Sequence, residues 1–255
     1  MPLFLSSLDG LLWLTLALVA LVFLQRKMHL EIQVVFLILT RQPGIAIAIF
    51  ALIFLPGVFL HELSHFLMAK ILGVRTGKFS LIPSPMPDGR LQMGYVETER
   101  SDLVRDSLVG AAPILFGTLF LAWVAVDRLQ LMVMWDVFRL QQWELFFLGL
   151  SVLPQVPDFW LWFYLAFAVS STMMPSESDR HAWTPPLLVV GIFFALLLLA
   201  GAGPWMLANM APPLNEFLRG TALVLSVSVL IHLFLIFPFL LLHRLLTRLT
   251  GLDVA

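Results

Sequence analysis

Of the 255 residues, 60% are hydrophobic and only 12% carry a charge, about half the charged fraction of an ordinary soluble domain, so the chain reads as embedded in a lipid bilayer. The net charge of −1 excludes a nucleic-acid partner, which needs a basic face. The absence of cysteine removes disulfides, thiolate ligands and a cysteine nucleophile, leaving His, Asp and Glu as the side chains open to a transition metal.

A bilayer-spanning helix needs about 20 mostly apolar residues, and the sequence offers six such segments, roughly 10–25, 43–69, 108–126, 157–175, 184–203 and 220–242. The first follows an acidic start at Asp9 and lacks a small-residue cleavage site, so it reads as a retained span and not a signal peptide. Residues 30–40 are apolar but short, which suits an interfacial or re-entrant piece leading into the second span. Residues 129–153 mix Trp135, Asp136, Arg139, Trp143 and Glu144 with leucine and phenylalanine, which suits a helix lying at the interface. The polar stretch 70–106 has strand-like residues at 78–82 and 91–97, separated at 83–89 by a run of proline, serine, aspartate and glycine. A short β-hairpin is therefore expected there, either as a surface loop or as an edge strand for an extended peptide. The predicted fold is an all-α polytopic membrane protein of about six transmembrane helices with this hairpin following the second. Nine Lys and Arg residues fall on the face carrying 70–106 and both termini, against six on the other, which places the former in the cytoplasm by the positive-inside rule.

His61-Glu62-Leu63-Ser64-His65 lies near the end of the second span, after a charge-free run over 45–60. Two histidines at i and i+4 share one helical face and can grip one zinc ion, and the glutamate between them can take a proton from water. The chain's six His and seven Glu make a chance match improbable, about 0.004 occurrences. Phe66-Leu-Met-Ala69 continue the apolar run, so the motif sits inside the membrane boundary and not among headgroups. Charged and polar groups are costly at that depth, which marks a functional site.

A catalytic zinc site takes three protein ligands and keeps one position open. The third is expected where the fourth span ends on the same face. There Asp179 follows Pro175, which loosens the helix, and a carboxylate suits the third position; Glu177 and His181 are rival ligands. His232, mid-span in the sixth segment, reads as a hydrogen-bonded structural histidine, and His29 as interfacial.

These residues resemble the site-2 protease family of intramembrane zinc metalloproteases. His61-Glu62-Leu63-Ser64-His65 followed by Ala69-Lys70-x-Leu72-Gly73-Val74 is similar to the family's first motif and its continuation. The family's second motif carries an Asn, a Pro and an aspartate ligand often followed by Gly; Ser171, Pro175 and Asp179 stand at the matching interval, with Ser replacing the Asn and Arg180 the Gly. Gly110-Ala-Ala-Pro113 with Gly117 resembles the start of the next core helix, although close helix packing alone accounts for it. The likeness covers residues 45–182, which would form the catalytic core of a single domain, with two additional spans in 183–255 and no PDZ or CBS-like module.

The resemblance implies one Zn2+ per chain on His61, His65 and Asp179, with Glu62 as general base and Ser171 steadying the oxyanion. It implies cleavage of a single-pass membrane protein or remnant signal peptide, within a bacterial or archaeal cell membrane, the site facing the cytoplasm. The break at Pro56-Gly57 would assist substrate access or be a tolerated kink in a packed helix. The alternatives are a prenyl-protein-type metalloprotease with Glu177 or Glu144 as third ligand, a metal-using transporter, and an inactive relative that binds membrane helices without cutting them.

Overall fold

A computed structural model describes residues 9–85 and 91–252. Most of the turn expected at 83–89 falls outside them. The first helix, α1 (Asp9–Thr40), runs unbroken for 32 residues, because no proline or glycine interrupts residues 11–40. Residues 30–40 therefore continue the first helix and are not a separate interfacial piece. Arg41 takes a left-handed conformation, φ 54°, and Pro43 opens α2 (Pro43–Ile71), as its fixed φ and missing N–H suit a helix's first turn.

Beyond α2 the chain forms the expected hairpin. β1 (Thr76–Ser80) pairs antiparallel with β4 (Tyr95–Thr98), and β2 (Ser84–Pro85) with β3 (Leu91–Gln92). The register shifts between Thr76 and Phe79, a bulge that bends the ribbon. Asp102 caps α3 (Leu103–Trp123), accepting from the amides of Val104 and Arg105. A π-helical turn over Val124–Arg128 follows, in which Arg128 lies over the rings of Trp123 and Trp162 at 4.9 and 5.0 Å.

Two short helices, α4 (Leu131–Arg139) and α5 (Trp143–Val152), contain no buried residue. Next come α6 (Phe159–Thr172), α7 (Thr184–Leu199), α8 (Gly203–Asn209) and α9 (Ala211–Thr250). Among the described residues, four helical segments are long and apolar enough to cross a membrane: α1, α2, α3 with its π-helical turn, and α9. The count rises to six if the pairs α5–α6 and α7–α8, bent by 94° and 112°, each act as one span. The fourth expected span, 157–175, is the single 14-residue helix α6, which reaches span length only with α5, and the fifth, 184–203, bends near its end into α8.

Helices α1 and α9 lie side by side and run in the same direction. Asn215 bonds Gly10 and Asp9 near their starts, and His243 bonds Glu31 near their ends. Six full crossings would set the first and last spans antiparallel. The parallel pairing places Asp9 and Thr250 at opposite ends of the α1–α9 pair. Arg219 lies beside Asp9 at one end of this pair, and Arg244 and Arg248 follow His243 toward the other.

Helices α2 and α6 are likewise parallel, and in strict register. The Tyr164 hydroxyl donates to the Ile53 carbonyl and His61 bonds the Thr172 carbonyl, each pair 111 residues apart. Between them a Cβ on Gly57 would run into the Ala168 carbonyl and Thr172 Oγ1. Three contacts four residues apart place the motif face of α2 on α6, and Gly57 is the point of closest approach. Gly57 is thus a packing position, and α2 continues through Pro56.

Candidate metal centre

The two motif histidines sit one helical turn apart on α2, as their spacing dictates. What fixes their rings is the backbone opposite each. His61 Nδ1 lies 2.7 Å from the Thr172 carbonyl at the end of α6, and His65 Nδ1 lies 2.9 Å from the Val109 carbonyl on α3. A carbonyl only accepts, so each Nδ1 carries the proton and each Nε2 presents its lone pair. The two Nε2 atoms face one another at 3.2 Å.

Asp179 completes the arrangement. It lies in the turn after α6, partly buried, with one carboxylate oxygen 3.4 Å from His65 Nε2 and the other 3.7 Å from His61 Nε2. Ser176 holds the carboxylate through its amide at 2.7 Å and its hydroxyl at 2.6 Å. Both Ser176 bonds favour the ionised form of the carboxyl. The loop reaches this place because α3 has no side chain in its way: a Cβ on Gly110 would strike the Asp179 carbonyl. The Ser107 hydroxyl on the same helix donates to the Ala182 carbonyl at 2.8 Å. The small residues at 110 and 117 are packing positions, Gly117 lying against Met173.

Three lone pairs converging with the ring protons turned away could hold a cation. A tetrahedral zinc with bonds near 2.0–2.2 Å separates its ligand atoms by about 3.3–3.6 Å; the two Nε2 atoms lie 3.2 Å apart, and Asp179 turns a different oxygen to each. Among the described residues, His61, His65 and Asp179 form a group able to hold a metal. Glu177 and His181 line the same cavity nearer its mouth, the His181 ring turned to the Ser178 carbonyl at 2.5 Å. Arg180 donates to the Ser176 carbonyl.

Glu62 is buried on the cavity wall beside the ligands. The hairpin covers it: a Cβ on Gly94 would meet Glu62 Cγ, Val58 Cγ1 and the Ser80 carbonyl at 3.0 Å each. The cavity, of about 960 Å³, is bounded on one side by β4 and its approach, from Gln92 to Val96, and on the other by Gln25, His29, Ser171 and Thr172.

Ser171, the expected oxyanion donor, is fully buried, with Oγ 2.9 Å from His232 Nε2. The His232 Nδ1–H donates to the Ser228 carbonyl at 2.8 Å, so Nε2 accepts and the Ser171 proton points at His232. His232 is the hydrogen-bonded interior histidine its mid-span position suggests. His29 departs from the interfacial reading: its ring lies against Phe50 and Phe54 at 5.3 and 4.8 Å, and its Nε2 is buried with no hydrogen-bond partner among the described residues. The unbroken α1 carries it inward. Gln25, which sequence reasoning passed over, donates its side-chain amide to the Ser171 carbonyl; it stands in the polar run Gln25-Arg26-Lys27, which gives no signal of its partner.

No protein-family model, curated protein or solved structure matches the chain.

Proposed function

We propose that the chain is an intramembrane zinc metalloprotease of the site-2 protease kind, hydrolysing peptide bonds in or near transmembrane segments. The observation that carries this reading is the convergence of His61 Nε2, His65 Nε2 and the Asp179 carboxylate, with Glu62 beside them on the next helical position. Zinc held by these three supplies a Lewis acid that polarises a peptide carbonyl and acidifies water.

The chain's own residues do the rest. Glu62 takes the proton of the attacking water as its oxygen bonds to the carbonyl carbon, and returns a proton to the leaving amine as the C–N bond breaks. Asp179, held by Ser176, and the two carbonyl-fixed imidazoles keep the ligands in place through the cycle. The hairpin shields Glu62 from bulk solvent, and the cavity-facing side of β4 suits an extended peptide paired along that strand. The substrate class that fits is a single-pass membrane protein or remnant signal peptide, locally unwound.

One observation favours the inactive alternative: the Ser171 hydroxyl is engaged by His232. The test is co-reconstitution of the zinc-loaded protein in liposomes with a panel of single-pass membrane proteins. The protease reading expects fragments from wild type that disappear with Glu62→Gln and with a chelator. Bound but uncut helices throughout the panel would favour the inactive relative.

A further inference from the structure

The end of α6 carries the carbonyl that orients His61, and it is gripped by helices that supply no ligand. A helix leaves its last carbonyls without intrahelical partners, and within a membrane-embedded bundle each must be satisfied by protein. Met173 N–H takes the Val169 carbonyl at 3.0 Å. His61 takes that of Thr172, and the Gln25 amide of α1 takes that of Ser171. From α9, His232 holds the Ser171 hydroxyl. Ser171 is thus tied through its carbonyl to α1 and through its side chain to α9, and the peptide unit that follows it leads directly to the Thr172 carbonyl on His61.

The geometry points to Gln25 and His232 as positioning residues of the metal centre, acting together on Ser171 to aim the Thr172 carbonyl at His61. This inference rests on the zinc reading above. The α1–α9 pair is then part of the catalytic apparatus. It lies largely outside the stretch resembling the protease family, yet it sets the orientation of one ligand. Groups that orient metal-bound imidazoles are worth about 10–100-fold in metal affinity, and ligand geometry must hold within about 0.5 Å.

The deciding experiment measures the zinc Kd of the detergent-purified full chain by competition with a chromophoric chelator, alongside its thermal midpoint. Gln25→Leu and His232→Phe each remove one tie with little change of volume. Each is expected to raise the zinc Kd about 10–100-fold. His232→Gln retains an acceptor for the Ser171 hydroxyl and is expected to bind zinc close to wild type. Asn215→Ala controls for loosened α1–α9 packing. It cuts the bonds to Gly10 and Asp9, about 22 Å along α1 from Gln25 at 1.5 Å per residue, and is expected to lower the midpoint while leaving the Kd unchanged. Wild-type zinc affinity in Gln25→Leu and His232→Phe overturns the inference and leaves the metal centre standing. So does an equal loss in Asn215→Ala, or failure of His232→Gln to recover affinity. If wild type itself binds no zinc, the metal-centre reading falls and this inference with it.

Discussion

Glu62 and Asp179 sit in one cavity but carry different duties, and substitution separates them. Asp179 supplies one of three converging lone pairs, so Asp179→Ala is expected to lose stoichiometric zinc, measured by metal analysis after gel filtration. Glu62 is no member of that triangle; Glu62→Gln is expected to keep one zinc per chain while cleavage falls about 10²–10⁴-fold, the usual worth of a positioned general base. Loss of zinc in Glu62→Gln would mean that the glutamate is itself a ligand. Ser171 offers a third separation. An oxyanion donor is worth about 10²–10³ in kcat, but its proton is directed at His232. Ser171→Ala is therefore expected to leave kcat at saturating zinc within a few-fold of wild type and to weaken zinc binding instead. A 10²-fold fall in kcat at full zinc loading would restore the oxyanion role.

At the scale of elements, the site depends on two close approaches made by glycines. Gly57 lets α6 lie directly on α2, and Gly110 lets the Asp179 turn lie directly on α3. In both places the obstructing atoms are backbone carbonyls, which cannot swing aside as a side-chain tip can. Gly57→Ala and Gly110→Ala are each expected to cost about 1–3 kcal/mol of stability, as overpacking does, and to weaken zinc binding. Gly191→Ala, whose Cβ meets nothing within 4 Å, serves as the unperturbed comparison in thermal melts and zinc titrations.

These approaches also explain why the sequence revealed some parts of the site and hid others. The pairing of His61 with His65 is local, written in a four-residue helical spacing. Asp179 was legible because a carboxylate after Pro175 is a strong residue-type signal. The Thr172 and Val109 carbonyls that orient the two rings were not, since every residue has a carbonyl and only the packing of α2 on α6 and α3 selects these two. Gln25 is invisible for the same reason: its partner is backbone from a helix nearly 150 residues away.

For the whole molecule, hydropathy located the apolar segments but not their course. A long apolar run reads the same whether it crosses or bends, so 157–175 counted as a span although α6 alone has only 14 residues, and 184–203 although α7 bends sharply into α8. Direction is set by contacts such as Asn215 with Gly10 and His243 with Glu31, which carry no periodic signature. The resulting bundle brings its ligands from distant places: His61 and His65 lie near the end of α2, and Asp179 lies 114 residues beyond His65. A metal bound across that gap ties α2 to the α6–α7 connection, and the native chain gains what the unfolded one cannot. Free zinc at 100 times Kd is therefore expected to stabilise the fold by about 2.7 kcal/mol. The thermal midpoint of the detergent-solubilised protein should rise with zinc and fall again on chelation. Asp179→Ala removes one of the two ends being tied, so its midpoint should not respond to zinc. A wild-type midpoint indifferent to zinc would mean that the three groups are held together by protein packing alone, with His61 and His65 paired to Asp179 as a buried polar cluster rather than as ligands.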